Sequence, residues 1–433
     1  MQNKLIYPLK FYKIFKEKIW GGRRLEYLFG KKLTEDKFIG ESWELADHKE
    51  DISVVRNGKY RGDNLNNLIK NFEKELVGKD IKLSRGSRFP LLFKYIDASK
   101  KLSIQVHPDD EYAYLNERDE TGKTEAWYVV WAKPDAQLVC GLKEHMSRRR
   151  FKKVIESKKI EDYLNYMNVY KGDLIFIPPG TIHTIMGGVL LAEIQQNSDA
   201  TYRISDWDRV DRYGKSRELH IDKALNVIDF SLVRNYKIQP LSININGNLI
   251  KYLIACDKFA VELCEIFDEY KLDCDGSKFY ILSFLEGNGQ IFYEEKSESK
   301  LSTINVNKIN LGTIDINKVK LGTIDINKVN IKKGETILLP ASLGKTVIKI
   351  DNKLKENKLI DNELKNNEIR DNKLRYDKLK SNKIRENKLK FLKFYIPDIT
   401  KDVIKPLISS GFTKKEIVSL GGWNKVNDMM KYF

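Results

Sequence analysis

The sequence predicts a mainly β protein: two jelly-roll-like β-barrel domains with a few helices, followed by a repetitive C-terminal extension. Three observations lead there. Short runs of β-branched, aromatic and leucine residues recur between Gly, Pro or charged turns, at LSIQVHP (102–108), AWYVVWA (126–132), DLIFIPPG (173–180), VLLAEIQQ (189–196), KFYILSFLEG (278–287), QIFYEE (290–295) and ETILLP (335–340). One glycine–proline turn occurs twice at the same spacing, Gly172 to Pro178 and Gly334 to Pro340. The last third of the chain is low in complexity and holds two tandem repeats of different period.

Taken in order, residues 1–235 are expected to form the first barrel. They carry a short helical segment at 147–165, with Ser147 as N-cap and apolar residues at 151, 154, 155, 160 and 164, and a second helix near 64–77. Residues 236–350 form the second barrel. It is interrupted at 304–331 by INVNKINLGT, IDINKVKLGT and IDINKVNI, nearly identical at a period of ten and alternating apolar with polar residues as short strands do. Lengthening a loop in this way costs little, because closure entropy grows only logarithmically. Residues 351–390 repeat at a period of five, from DNKLK to ENKLK. One apolar residue per five steps moves about 140° net around a helix and builds no stripe. A five-residue coil resembles pentapeptide-repeat proteins, but Asn mostly stands where those want a small residue. The composition instead reads as a solvated, partly disordered segment. Residues 391–433 read as a helical tail broken at Gly421 and Gly422.

The 433 residues carry a formal charge of +16, with 77 Lys+Arg against 61 Asp+Glu. Residues 1–300 contribute only +3, residues 301–350 add +5 and residues 351–433 add +8. The basic excess therefore belongs to the repeats and tail, and nucleic acid is a disfavoured partner. Tyr376 is the only aromatic residue in 351–390, and acidic residues recur throughout. Mean hydropathy is −0.48 and no run of about 18 apolar residues exists, which excludes a helical membrane protein. The start MQNKLIYPLK lacks the apolar core of a signal peptide. Cys140, Cys256, Cys264 and Cys274 show no paired short spacing, so a reducing, cytoplasmic setting is expected.

The chemistry concentrates around two of the five histidines. Gln105 and His107 are two apart in a strand and share one face. Glu125 opens the next strand in GKTEAWYV. GDLIFIPPGTIHTI places Gly172, Pro178, Gly180 and His183 at the spacing of the second metal-binding motif of the cupin barrel, with Gly187 where that motif ends in Asn. Gln105, His107, Glu125 and His183 thus supply an amide, two imidazoles and a carboxylate, a set able to hold a divalent metal with positions left for a ligand. A lone histidine at a strand end is usually a satisfied structural residue. The turn and the second histidine outweigh that reading here, whereas His48, His145 and His220, on charged flanks, keep it. In QQNSDATYRISDWDR (195–209), Arg203 is suited to an oxyanion or phosphate, against an ion pair with Asp206 or Asp199. Lys100, Lys101 and Lys123 lie within a few residues of the ligand positions and would meet an anionic substrate, surface lysine being the alternative. Gly334 to Pro340 has no histidine after it, as a second cupin without its metal would have.

Residues 4–350 resemble the short bacterial form of type I mannose-6-phosphate isomerase, in the cupin superfamily. The matching strings are IWGG (19–22), GESWELADH (40–48), FPLLFKYIDASKKLSIQVHPDD (89–110), GKTEAWYV (122–129), GDLIFIPPGTIHTI (172–185), EIQQNSDATYR (193–203) and IKKGETILLP (331–340). The resemblance implies an enzyme with one zinc ion per subunit that interconverts mannose 6-phosphate and fructose 6-phosphate through a cis-enediol. Its metal ligands would be Gln105, His107, Glu125 and His183, and its active-site arginine Arg203. Lys100 and Lys123 would contact substrate, and Ser103, Glu193 and Asp199 would line the pocket. Residues 1–235 would then be the catalytic cupin and 236–350 a degenerate one. A lysine, Glu193, Asp199 and a water on the metal all stay open as the base. The alternatives are another metal-dependent cupin such as a dioxygenase, or a non-catalytic sugar-phosphate-binding cupin whose basic tail meets an anionic partner. Monomer and homodimer are both compatible with the sequence.

Overall fold

A computed structural model describes residues 7–210, 213–230, 236–295, 325–351, 388–422 and 429–433. Most of the ten-residue repeat and nearly all of the five-residue repeat lie outside the described residues. The chain is mainly β and forms two lobes, each built from a pair of antiparallel sheets.

In the first lobe the larger sheet runs, in spatial order, through Lys237–Ile238, Leu174–Ile177, Glu125–Ala132, Val189–Gln196, Leu91–Ala98, Ile39–Leu45 and Ile14–Gly22. The smaller sheet holds Leu164–Asn168, Gln137–Leu142, His183–Ile185, Ile104–Val106 and Tyr202–Ser205. Their facing sides share a core that includes Trp127, Ile96, Leu138, Cys140 and Ile185. The smaller sheet buries its other face under helices Arg148–Glu156 and Ile221–Val227, through Phe151, Val154, Ala224 and Leu225. The helical stretch expected over 147–165 resolves into that first helix, a 3-10 turn at Ile160–Tyr163 and the strand Leu164–Asn168. Ser147 caps the helix by accepting the Arg150 amide at 3.2 Å, and Lys158 at φ 56° turns the chain away. The helix near 64–77 is Leu65–Leu76, with Asn64 accepting the Asn67 amide.

The second lobe's larger sheet runs through Leu9–Lys10, Thr336–Leu339, Tyr280–Glu286, Leu389–Tyr395, Ala260–Ile266, Asn248–Ala255 and Leu241–Ile245. A four-stranded sheet of Glu269–Cys274, Gly344–Ile350, Gly289–Glu295 and Asp325–Ile331 accompanies it. Two segments read from sequence as additions are integral here. Asp325–Ile331, the end of the ten-residue repeat, pairs along its whole length with Gly289–Glu295, because its alternation meets a strand in register. Leu389–Tyr395, expected at the start of a helical tail, is a strand between Ala260–Ile266 and Tyr280–Glu286. Helical turns at Ile399–Ile404, Lys405–Ser409 and Lys414–Ser419 follow it and bury Ile399, Val403, Leu407 and Ile417 in the same core.

The lobes exchange short strands at their ends, since Leu9–Lys10 joins the second and Lys237–Ile238 the first. The outer faces of the two larger sheets pack together, with Phe93 against Phe394 at 4.6 Å and Phe89 against Phe279 at 4.5 Å between ring centres. A buried polar knot sits in this apolar interface. Glu44 pairs with Lys31 at 2.7 Å and Lys13 at 2.8 Å, and accepts from Ser42 at 2.6 Å and Thr336 at 3.0 Å. Among the described residues no helix is long and apolar enough to cross a membrane. The four cysteines are buried free thiols.

Candidate active site

The two sheets of the first lobe bring His107, Glu125 and His183 together. Glu125 opens its strand in the larger sheet, while His183 opens a strand of the smaller sheet directly opposite Gln105. His107 follows Ile104–Val106, and its carbonyl accepts the Gly180 amide at 2.9 Å, tying the histidine to the turn that presents His183. Gly180 has φ 80°, and a side chain there would meet the Val227 carbonyl oxygen at 2.9 Å.

His107 Nε2 stands 3.4 Å from Glu125 Oε2, and His183 Nε2 stands 3.3 Å from Glu125 Oε1. The ligand atoms of the three residues all lie within 4.8 Å of one another. Each ring is oriented from behind by a carbonyl that can only accept. His107 Nδ1 donates to Ala200 at 2.8 Å and His183 Nδ1 donates to Thr181 at 2.9 Å, leaving both Nε2 lone pairs facing Glu125. Burial and then Lys123 push the His107 imidazole down to about 3, and burial lowers His183, so both rings are neutral. Burial would raise the Glu125 carboxyl, but Lys123 and the histidines outweigh it and keep the group ionised. His107 Nε2 and both Glu125 oxygens are buried without a hydrogen-bond partner. Two neutral imidazoles and an ionised carboxylate converge here, with His107 Nε2 and both carboxylate oxygens lacking a hydrogen bond, and fit a divalent cation of the zinc type.

Around this centre lies a cavity of about 370 Å³. Ser103, Gln105, Lys123, Glu193, Asp199 and Arg203 line it, as do Lys16, Lys18, Glu41, Trp43, Lys94 and Arg217. Most of its cations already face carboxylates: Lys16 with Asp51 at 2.5 Å, Lys18 with Glu41 at 3.4 Å, Lys94 with Glu193 at 3.5 Å, Lys123 with Glu125 at 3.2 Å and Arg217 with Asp206. Arg203 differs. Asp206 is taken by Arg209 and Arg217, so the expected competing pair does not form. Arg203 donates from Nη1 to the Glu218 carbonyl at 2.7 Å and keeps a buried Nε without a partner. Burial raises the Glu193 carboxyl to about 8 despite Lys94, with Glu125 adding to the rise. Burial alone would lower Lys94, yet Glu193 and Glu41 hold its ammonium above the ordinary value.

Gln105 touches the centre with its amide nitrogen, 3.2 Å from His183 Nε2, while its oxygen accepts from Ser103 at 3.2 Å. A ligand role requires that amide to turn over. Lys100 is exposed and does not line the cavity, because the chain bends outward after Leu91–Ala98. Lys101 lies over the Trp207 ring at 3.8 Å. Lys94 was missed. Its signal was a lysine in the middle of the apolar run FPLLFKYIDA, where a buried partner was required. His48, expected from sequence to be a structural histidine, has a charged flank but is 2% exposed, because Asp47–His48 pairs with Asp51–Ile52 and turns the ring toward Glu120.

Fold and site define a two-lobed cupin protein with a candidate divalent-metal centre between the sheets of its first lobe. A family model described as phosphomannose isomerase type I, catalytic domain, matches residues 9–134. Mannose-6-phosphate isomerase ManA of Bacillus subtilis (strain 168) is 38% identical over 289 residues, covering 66% of this chain and 88% of that protein. A mannose-6-phosphate isomerase of Streptococcus mutans serotype c is 36% identical over 284 residues, covering 66% and 86%. The crystal structure of mannose 6-phosphate isomerase from Bacillus subtilis is similar with a TM-score of 0.67 at 34% identity, covering 79% of this chain and 96% of that one. The chain belongs to the type I phosphomannose isomerases, the mannose-6-phosphate isomerases.

Proposed function

We propose that this chain interconverts D-mannose 6-phosphate and D-fructose 6-phosphate through a cis-enediol, with one zinc ion per subunit held by His107, Glu125, His183 and a turned-over Gln105. The observation that carries this reading is the set of buried, unsatisfied ligand atoms of His107 and Glu125, in a chain of this family. A zinc ion held there would supply Lewis acidity to the substrate's oxygens.

The remaining roles fall to the chain's own side chains. Arg203, with its unpartnered Nε, donates to the oxygen on which negative charge develops as the proton leaves C2. Glu193, buried in the cavity wall beside Glu125, is our candidate for the group that carries the proton between C2 and C1, and Lys94 balances its charge. Lys123 steadies Glu125. Lys16 and Lys18 in the cavity wall offer cations to the phosphate, taking the place that the sequence reading gave to Lys100. Ser103 orients Gln105, and Asp199 lines the cavity.

The test is a coupled assay of mannose 6-phosphate conversion on zinc-loaded and chelator-treated protein. Turnover lost with the metal and regained on adding zinc is expected. A zinc-loaded protein without turnover rejects the reading. Glu193→Gln separates the proton carrier from the rest, with kcat falling about 10²–10⁴-fold while sugar-phosphate binding persists.

A further inference from the structure

Behind the cavity, the segment 197–201 leaves strand Val189–Gln196 and enters Tyr202–Ser205. It has two outputs. Asp199 lines the cavity, and the Ala200 carbonyl holds His107 Nδ1 at 2.8 Å, which fixes the tautomer that leaves Nε2 free to bind a metal. Asn197 and Ser198 anchor its start, and at Asp199 it is held by a side chain outside the cavity. Glu120, 7% exposed, accepts the backbone N–H of Asp199 through Oε2 at 2.9 Å. Its other oxygen faces Lys49 Nζ at 2.7 Å and His48 Nε2 at 3.5 Å. The next residue grips the segment as well, since the Thr121 carbonyl accepts from Ser198 Oγ at 2.7 Å. The His48 backing is tied to the same segment, because Asn197 Nδ2 donates to the Asp47 carbonyl at 2.7 Å.

We propose that Glu120, backed by His48 and Lys49, is a positioning residue for the metal centre: by holding the Asp199 amide it sets both the Asp199 side chain and the Ala200 carbonyl that orients His107. The inference rests on the metal reading above. A buried carboxylate on a backbone N–H makes a strong, directional hydrogen bond. Removing it leaves the N–H unsatisfied and frees the segment to shift. Outer partners of a ligating histidine typically change metal affinity about 10- to 100-fold when lost.

The experiment titrates zinc into the metal-free full-length chain against a competing chelator, for wild type, Glu120→Ala and Glu120→Gln. The alanine variant is expected to bind zinc about 10- to 100-fold more weakly. The glutamine variant, whose amide oxygen still accepts the Asp199 N–H, should recover to within about threefold of wild type. In nitrogen NMR of the metal-free chain, the protected Nδ1–H signal of His107 should be present in wild type and lost in Glu120→Ala. An alanine variant with wild-type zinc affinity and an intact His107 signal overturns the inference, even with a lower melting temperature. If the alanine variant does not fold, Glu120→Met fills the space without accepting the N–H and carries the same two outcomes. A wild type that binds no zinc rejects the metal reading instead, which keeps the two failures apart.

Discussion

In the first lobe, the turn after Leu174–Ile177 runs through Pro178 and Gly180 to His183, whose Nε2 faces Glu125 at 3.3 Å. In the second lobe, the turn after Thr336–Leu339 runs through Pro340 to Gly344, and Lys345, at the offset of His183, is exposed. The interiors differ accordingly. The first leaves His107 Nε2 and both Glu125 oxygens buried without a hydrogen bond, with Lys123 as the ion-pair partner of one of those oxygens at 3.2 Å. The second contains a charge pair that is already closed: Lys393 meets Glu262 at 2.7 Å and donates to Tyr270 at 3.1 Å, and Tyr395 donates to the other Glu262 oxygen. Tyr270, Tyr280 and Tyr395 surround the ammonium at 5.3–5.8 Å from their ring centres. A buried polar set can be completed from within or left for a ligand. The same architecture does the first in one lobe and the second in the other.

The largest expected effect breaks the contrast from the open side. Glu125→Ala removes the triad's carboxylate, and turnover should fall at least about 10³-fold, since Lewis-acid stabilisation supplies several kcal/mol. Because the buried Lys123 loses its Glu125 partner at 3.2 Å, folding should be followed by circular dichroism and turnover compared per folded chain. Arg203→Ala should cost about 10²–10³-fold in kcat while zinc content is unchanged, and near-wild-type turnover would remove Arg203 from the mechanism.

The closed side should respond in stability instead. Lys393→Met leaves Glu262 charged and unpaired in the second lobe, which should cost about 3–5 kcal/mol in chemical denaturation. The folded fraction should turn over at the wild-type rate. Pairing Lys393→Met with Glu262→Gln should restore much of the loss. If Lys393→Met instead lowered kcat at unchanged stability, the second lobe would have a chemical role.

Between the lobes, the Glu44 knot gives a pH signature. Burial would raise Glu44, but Lys13 and Lys31 outweigh it and lower the carboxyl to about 2 from an ordinary 4.5. Burial brings Lys13 down to about 8, so both stay charged at neutral pH. Because the folded-state value lies below the unfolded one, the stabilisation is present above about pH 4.5 and is lost as pH falls toward 2. The full effect is about 3 kcal/mol. Glu44→Gln should flatten that acid limb of an unfolding curve, and an unchanged limb would exclude Glu44 as its source.

The residues of the candidate metal centre were legible because their determinants are local. Two-residue spacing puts Gln105 and His107 on one face, and the glycines and prolines of 172–183 dictate the turn that aims His183. Lys94, His48 and Glu120 were not legible, because each acts on a partner far along the chain: Lys94 on Glu193 of the neighbouring strand, and His48 and Asp199 on Glu120. Lys100 shows the converse, since nearness in sequence to Gln105 is cancelled by the bend after Ala98. The strand Leu389–Tyr395 was hidden by the lysine-rich repeat before it. Its LKFLKFY pattern also lacks strict alternation, because both of its faces are covered.

That strand makes the smallest predicted effect informative. The Asp351 amide donates to the Asn288 carbonyl at 3.0 Å, and a side chain at Gly287 would meet the Lys388 carbonyl oxygen. The chain therefore leaves at 351 and returns at 388 beside the same two residues. Replacing 352–387 with a short Gly-Ser linker should change stability by no more than about 1 kcal/mol and leave kcat unchanged. Stopping the chain at 351 removes a central strand and should yield no folded protein. A stable, active chain ending at 351 would show that the tail is dispensable to the second lobe.

The most direct test is the zinc content per chain of wild type and of His107→Ala/His183→Ala, measured by atomic emission after dialysis against a weak chelator. One zinc per wild-type chain and none in the double variant is the expected result. A wild type that retains no zinc, or a double variant that keeps one, would contradict a metal centre in the first lobe.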